Sequence, residues 1–218
     1  LPNSTALKTI SCWTNNLTSL DVSKNTALEY LLCYWNPLTS LDVSNNTALI
    51  EFECKSNQLT TLDVTKNTKL EVLDCSENQL TSLDLSNNTL LKRLACSSNN
   101  LSSLDLSNNT LLKRLYCSSN NLSSLDLSNN LNLNPTMSWY VDCSDNSYTV
   151  NIDKTFIFNL FSLPGEIDHT RMSIKSGNAV DKDGYLNIDE SIGDDTIKVV
   201  YEYIANKDYT FEYTLNLV

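Results

Sequence analysis

The chain has 218 residues and a net charge of −11, with 15 Lys and Arg against 26 Asp and Glu. This acidity excludes the basic footprint that nucleic acids or anionic membrane surfaces require. No run of 18 apolar residues is present and no signal-peptide pattern opens the chain, so we expect no membrane insertion and no export signal in it. One His, no Cys-x-x-Cys and no Gly-x-Gly-x-x-Gly give no basis for a metal, a cofactor or an enzyme.

The composition divides the chain near residue 147. All seven Cys lie before this point and all four Gly lie after it. We therefore predict two domains, a repeat domain over residues 1–146 and a smaller module over residues 147–218.

Residues 1–146 carry a 21-residue repeat. Cysteines recur with this step from Cys12 through Cys33 to Cys117, and the last one, Cys143, comes slightly later than the step predicts. Leu columns that begin at Leu17 and Leu20 and an Asp column that begins at Asp21 keep the same step through six copies. A strict period of this length predicts a solenoid, in which each coil buries its apolar face against its neighbours.

Each repeat contains two similar halves. One reads Leu28-x-x-Leu31-x-Cys33-x-x-Asn36 and the other reads Leu38-x-x-Leu41-x-Val43-x-x-Asn46. Alternation around Leu31 and Cys33 predicts a short strand with these two side chains inward. The Asn that follows predicts a turn. Stacked copies of this Asn are expected to form a ladder that satisfies buried turn amides.

These motifs resemble the bacterial, internalin-like leucine-rich repeat proteins, whose repeat reads L-x-x-L-x-C-x-x-N-x-L-x-x-L-D-L-x-x-N. Residues 70–85 carry this pattern intact. The resemblance implies a curved solenoid with a parallel sheet on its concave face, and in this family that sheet binds a protein or a glycan. Because residue 1 falls inside a repeat and no polar cap precedes it, we expect the native protein to continue N-terminally.

The cysteine column has three interpretations. Buried free thiols that act as small hydrophobes are favoured, because Cys takes the inward position that Val or Leu takes in the other half-repeat. Disulfides are disfavoured because side chains in register run parallel, and the number of cysteines is odd. Metal binding is disfavoured because a row of parallel thiols does not form a tetrahedron.

The aspartate column has two interpretations. Six carboxylates about 4.8 Å apart repel one another and need compensation. Flanking Ser and Thr hydroxyls and turn amides are the favoured partners. A row of cations such as Ca²⁺ is the alternative, although each ion would need six or more oxygens.

The outward positions of the predicted strands vary, whereas the inward ones do not. Aromatic residues gather in the N-terminal coils, acidic residues follow, and arginines come next. Exposed aromatics and Arg are the side chains that carry interface energy. The candidate ligand-binding residues on the concave face are therefore Trp13, Tyr30, Tyr34, Trp35, Glu51, Glu53, Asp74, Arg93, Arg114 and Tyr116.

Residues 147–218 alternate in the manner of strands. Segments near residues 148–152, 156–160, 179–180, 185–188, 197–204 and 209–218 are predicted strands, and Asp183-Gly184 predicts a hairpin. About six strands in this length favour a small antiparallel immunoglobulin-like sandwich. The module resembles the β module that follows the repeats in bacterial surface leucine-rich proteins, which implies a cap on the last coil.

The sequence thus predicts a mainly β, monomeric, cell-surface or secreted bacterial binding protein, adhesin-like, with a protein or glycan as its partner. A structural spacer that presents another domain away from the envelope is the alternative. A spacer should have uniform polar outward positions, as in residues 97–100, and no aromatic cluster.

Overall fold

The computed structural model describes residues 4–122, 125–127 and 129–133, and the backbone of strand segments between residues 141 and 217. In these ranges the chain forms strands β1 Thr9–Ser11, β2 Tyr30–Leu32, β3 Glu51–Glu53, β4 Val72–Asp74, β5 Arg93–Ala95, β6 Arg114–Tyr116, β7 Val141–Asp142, β8 Thr149–Ile152, β9 Phe158–Asn159, β10 Ser173–Ile174, β11 Ala179–Lys182, β12 Tyr185–Ile188, β13 Thr196–Glu202 and β14 Thr210–Leu217. No helix within the described residues is long and apolar enough to span a membrane.

The repeats form a parallel sheet of seven strands in sequence order, β1 to β7. From β1 to β6 each strand lies one repeat beyond the previous strand, so that Thr9 lies opposite Tyr30 and Tyr30 lies opposite Glu51. The step from β6 to β7 is longer, with Leu115 opposite Val141. The predicted solenoid of 21-residue coils, each with one short strand, is therefore confirmed.

The interior of the solenoid is a continuous stack of apolar columns. Leu31, Leu73 and Leu94 are fully buried at the centre of their strands, and Phe52 occupies the same column in β3. The Cys column and the Leu or Val columns of the second half-repeat complete the core. Since burial removes apolar surface from water along the whole stack, each coil depends on its neighbours for its stability.

Two asparagine ladders join successive coils. In the first, Asn57 Nδ2 donates to the Cys33 and Cys54 carbonyl oxygens, and its Oδ1 accepts the Leu38 backbone N–H at 3.1 Å. In the second, Asn46 Nδ2 donates to the Val22 and Asn25 carbonyl oxygens at 3.0 and 2.8 Å. The predicted ladder is confirmed.

One detail of the ladder prediction is wrong. The side chain of Asn46 satisfies two backbone carbonyls of the preceding coil, not turn amides. Its own Oδ1 is buried without a hydrogen-bond partner among the described residues, as are the corresponding atoms of Asn67, Asn88, Asn109 and Asn130. The turn amides use backbone acceptors instead: the Asn46 N–H donates to the Val43 carbonyl oxygen.

The turn after each strand holds a residue in the left-handed conformation. These residues are Thr14, Trp35, Ser56, Glu77, Ser98 and Ser119, with φ between 53° and 55°, and none is a glycine. The conformation costs roughly 1–2 kcal/mol for a residue with a Cβ. We infer that stacking of the coils offsets this cost, because these turns form hydrogen bonds with adjacent coils. The Trp35 N–H donates to the Lys55 carbonyl oxygen of the next coil at 2.9 Å, and the Trp35 carbonyl oxygen accepts the Asn15 N–H of the preceding coil at 3.3 Å.

The cysteine and aspartate columns follow the favoured interpretations. None of the six cysteines from Cys12 to Cys117 is in a disulfide bond; Cys12 is half-buried and the other five are buried. Asp42 Oδ1 accepts the Ser44 backbone N–H at 2.8 Å, and Asp63 Oδ1 accepts both the N–H and the hydroxyl of Thr65. These bonds lower the pKa of both carboxyl groups. Cys143 lies outside the described residues.

The C-terminal strands form two further sheets. One has the order β10-β13-β14-β8 and the other the order β11-β12-β9. The predicted hairpin is confirmed by the antiparallel pairing of β11 with β12, and the predicted terminal pair by that of β13 with β14. The sequence did not predict that β14 pairs in parallel with β8. An immunoglobulin-like sandwich is not seen in the described residues.

Candidate functional site

The outward side of the seven-stranded sheet, here called the sheet face, presents the variable columns. Strand register places Tyr30 and Arg93 in one column, and Glu53 and Tyr116 in the next. Several small or short outward residues are nevertheless buried, as Asp74, Ser76 and Ala95 illustrate. Longer side chains on adjacent strands cover them, as the ion pair between Arg93 and Asp74 shows.

Three aromatic side chains form a contiguous group that we call the aromatic patch: Trp13, Tyr34 and Trp35. The Trp13 and Tyr34 rings stack with centroids 5.5 Å apart and planes 8° from parallel. The Tyr34 and Trp35 rings meet edge to face at 5.4 Å and 80°. Both Trp side chains are exposed, at 46% and 52%. The sequence predicts that four aromatic residues, Tyr30 included, converge in the N-terminal coils; three of them are in ring contact.

The repeat itself creates this geometry. Trp13 and Tyr34 occupy one column in adjacent coils, and adjacent strands of a sheet lie about 4.8 Å apart, so their rings lie within stacking distance. Trp35 follows in the left-handed turn, with φ of 55°. Because each ring is held by another ring, the patch is ordered before any ligand arrives. Such preorganisation lowers the entropy cost of binding.

Tyr30 lies apart from the aromatic patch. It is 36% exposed and stands in the first column, opposite Thr9 and Glu51. No ring contact joins it to the patch within the described coils. Its place on the sheet face matches the sequence prediction, but it borders the acidic residues and not the stacked rings.

A charged cluster adjoins the patch, and it comprises Glu51, Glu53, Asp74 and Arg93. The Arg93 Nη2 atom lies 3.2 Å from Asp74 Oδ2, and its Nη1 atom lies 3.6 Å from Glu53 Oε1. The guanidinium also stands over the Tyr116 ring, 5.8 Å from the centroid. Arg93 is therefore held by two carboxylates and an aromatic face.

Burial is the largest cause of a raised pKa at Glu53. The neighbouring carboxylates of Asp74 and Glu51 raise this pKa further, and the Arg93 guanidinium opposes them. In the charged cluster three carboxylates, those of Glu51, Glu53 and Asp74, face the one guanidinium of Arg93.

The sequence analysis did not select Lys55 and Glu77 as candidate residues of the site. Lys55 Nζ lies 3.0 Å from Glu77 Oε1, and the Ser56 hydroxyl donates to Glu77 Oε2 at 2.5 Å. The pKa of Glu77 is lowered, first by the Ser56 hydroxyl and then by Lys55. Glu77 lies in a left-handed turn, a conformation that is uncommon for residues other than glycine, so the pattern of apolar residues did not reveal it.

These charges line a shallow cavity of about 230 Å³. The cavity is lined by Lys55, Asp74, Ser76, Glu77, Arg93, Ala95, Ser97, Ser98 and Tyr116. Arg114 lies opposite Arg93 in register and is exposed. Among the described residues, no three His, Cys, Asp or Glu side chains are grouped to hold a metal ion. In this cavity the Tyr116 ring offers apolar contact to a ligand, and the charged side chains offer ionic contact.

Comparison with known proteins supports the fold. No protein-family model and no curated protein matches the sequence. The functional domain of InlJ from Listeria monocytogenes, which includes a cysteine ladder, is 20% identical with a TM-score of 0.52, over 98% of this chain and 82% of that one. InlP from the same organism is 20% identical with a TM-score of 0.66, over 100% and 69% of the two chains.

A plant protein shares the solenoid as well. The leucine-rich repeat ectodomain of the receptor kinase GASSHO1/SCHENGEN3 from Arabidopsis thaliana, in complex with CASPARIAN STRIP INTEGRITY FACTOR 2, is 26% identical with a TM-score of 0.60, over 70% of this chain and 20% of that one. The chain thus has a leucine-rich repeat solenoid fold with internalin-like features, including a buried cysteine in each fully described coil from Cys33 to Cys117.

Proposed function

We propose that this chain is an adhesin-like binding protein of the bacterial cell surface or of the secreted fraction, which recognises another protein through the N-terminal half of its sheet face. The aromatic patch carries the proposal. Three contacting rings, two of them on exposed tryptophans, stand on the surface of a strongly acidic protein. Exposed apolar groups of this kind mark interaction sites, and Trp and Tyr dominate binding energy.

The solenoid neighbours support a protein as the ligand. The plant ectodomain of the same fold was solved in complex with CASPARIAN STRIP INTEGRITY FACTOR 2. A surface or secreted location is proposed from the likeness to InlJ and InlP of Listeria monocytogenes. We further propose that residues 147–218 form a separate β module, immunoglobulin-like in architecture, that covers the last coil.

The test is a screen of the full chain against extracellular proteins and glycans, repeated with the double variant Tyr34→Ala/Trp35→Ala. Loss of these two rings should weaken binding by at least about 2 kcal/mol, which is roughly 30-fold in Kd. The control is Leu90→Ala/Leu111→Ala, which removes two exposed apolar side chains that lie outside the strands of the sheet. Binding should survive in the control.

Three outcomes would argue against the proposal. Equal losses in both double variants would place the binding energy elsewhere on the surface. Undiminished binding by Tyr34→Ala/Trp35→Ala would exclude the aromatic patch as the site. A broad screen without any ligand would favour the structural spacer, which the uniform serines at positions 97, 98, 118 and 119 also suit.

A further inference from the structure

The acidic residues of the sheet face lie on the strands that follow the aromatic patch. Register places Glu51 opposite Tyr30 and Glu53 opposite Leu32, one strand beyond the coil that carries Tyr34 and Trp35. The next strand places Asp74 opposite Glu53. Since neighbouring strands are about 4.8 Å apart, a single extended segment that crosses the strands can touch both the aromatic patch and the carboxylates.

The carboxylates of the charged cluster outnumber its cations. Within the cluster Arg93 alone is basic; it lies 3.2 Å from Asp74 and 3.6 Å from Glu53, and its guanidinium stands over the Tyr116 ring. Lys55, in the adjoining column, is paired with Glu77 at 3.0 Å. The cluster therefore holds three carboxylates and one guanidinium, a net of two negative charges. If exposed Arg114 on the next strand is counted as well, one negative charge remains for a partner cation.

The aromatic patch favours the same kind of partner. The faces of Trp and Tyr rings attract ammonium and guanidinium groups as well as apolar side chains. The net charge of −11 also accelerates the approach of a basic partner and opposes an acidic one. An acidic glycan is therefore disfavoured at this surface.

We infer that the ligand presents an extended basic segment of protein, whose Lys or Arg side chain lies against Glu51 and Glu53 while its apolar neighbours lie on the aromatic patch. This inference rests on the proposed function and names the chemistry of its partner. Asp74 and Arg93 act as positioning residues, because their ion pair holds the carboxylate surface in place.

The experiment uses the full chain and a displayed library of random 12-residue peptides. Peptides that bind should be enriched in Lys or Arg beside an aromatic or aliphatic residue. For a synthetic copy of a selected peptide, replacing its Lys or Arg by Gln should raise the Kd at least tenfold. Glu51→Gln/Glu53→Gln should cause a similar loss, because it removes both partner carboxylates while retaining the size of each side chain.

A charge-matched control separates this site from general attraction. Asp63→Asn/Asp84→Asn removes the same two charges from the exposed aspartate column, away from the sheet strands, and should change the Kd less than twofold. Equal losses in the two double variants, a library without binders, or selected peptides without basic residues would overturn the inference. Selected peptides that lack basic residues but still require Tyr34 and Trp35 would overturn the inference and leave the proposed function standing. Basic peptides whose binding does not depend on Tyr34 and Trp35 would contradict the proposed function.

Discussion

Single asparagine side chains connect one coil to the next. In one ladder the amide is satisfied on both sides, since Asn57 donates through Nδ2 and accepts through Oδ1. In the other ladder only the donor is satisfied, as in Asn46, whose Oδ1 lacks a partner among the described residues. Removing such a buried side chain costs stability, because the hydrogen bonds that it donates to the preceding coil are lost.

A pair of adjacent residues tests this contribution. Asn46→Ala should lower the free energy of unfolding by about 1–3 kcal/mol, because two buried hydrogen bonds between coils are lost, each worth about 0.5–1.5 kcal/mol. The Val22 and Asn25 carbonyl oxygens keep only their backbone donors, the N–H groups of Asn25 and Leu28. Asn45→Ala, the exposed neighbour in the same turn, should change it by less than about 0.5 kcal/mol. Urea unfolding measures both. Equal effects would show that the ladder adds nothing beyond ordinary turn propensity.

The columns of the solenoid behave as elements, because every coil contributes one residue to each of them. The cysteine column illustrates the consequence. Burial raises the pKa of Cys33, Cys54 and Cys75, so that these thiols stay neutral in the folded chain above the pH at which they ionise when unfolded. Because the thiol recurs in each coil, the raised pKa is a property of the column and not of one residue.

This column predicts loss of stability at alkaline pH. A thiol whose pKa is raised by folding stabilises the folded state below its unfolded pKa of 9.0, and this stability is lost as pH rises above that value. Each such thiol steepens the decline by up to about 1.4 kcal/mol per pH unit, so these three together add at most about 4 kcal/mol per unit.

The measurement is urea unfolding at pH 8, 9, 10 and 11 for the natural chain and for Cys54→Val. Val occupies the equivalent inward position in the second half-repeat, as at Val43 and Val64. The two proteins differ only at position 54, so the comparison isolates the contribution of this thiol. The variant should decline less steeply, by up to about 1.4 kcal/mol per pH unit. Identical slopes would mean that Cys54 ionises as readily in the folded state as in the unfolded one.

At the scale of the whole molecule, the ends of the stack decide its stability. A solenoid buries each coil only against its neighbours, so a terminal coil needs a cover. Leu127 and Leu133 are buried in the last described coil. The sequence-based proposal is that the module of residues 147–218 protects this end.

Deleting residues 147–218 should therefore lower the Tm of the repeat domain and lead to its aggregation, because the apolar end of the stack becomes exposed. Differential scanning calorimetry and light scattering follow both effects. The control is the full chain with a protease site between residues 146 and 147, cut after folding, which should retain its Tm if the module stays docked. A monomeric 1–146 fragment with an unchanged Tm would show that the module is an independent passenger.

The repeat made most of the fold predictable. The constant period fixes the register between strands, and alternation around Leu31 and Cys33 fixes which side chains face inward, so both were correct before the structure was known. The stacking of Trp13 on Tyr34 follows from the same period, since the two residues share a column. The sequence pattern was enough to predict these contacts, because each of them joins residues 21 positions apart.

Other features depended on tertiary structure, because they arise from where side chains meet in space. The ion pairs of Arg93 reach into the neighbouring column and across two strands, so no periodic pattern indicates that Arg93 serves Asp74 and Glu53. The pairing of Lys55 with Glu77 depends on the left-handed turn position that Glu77 occupies, and successive coils place chemically different residues at this position. The parallel pairing of β14 with β8 joins segments from opposite ends of the C-terminal module that no repeat relates. The sequence by itself therefore determined the coil, its core and its aromatic column, because a fixed period sets all three, whereas charge pairing and long-range strand pairing were decided only when the folded chain brought unrelated positions together.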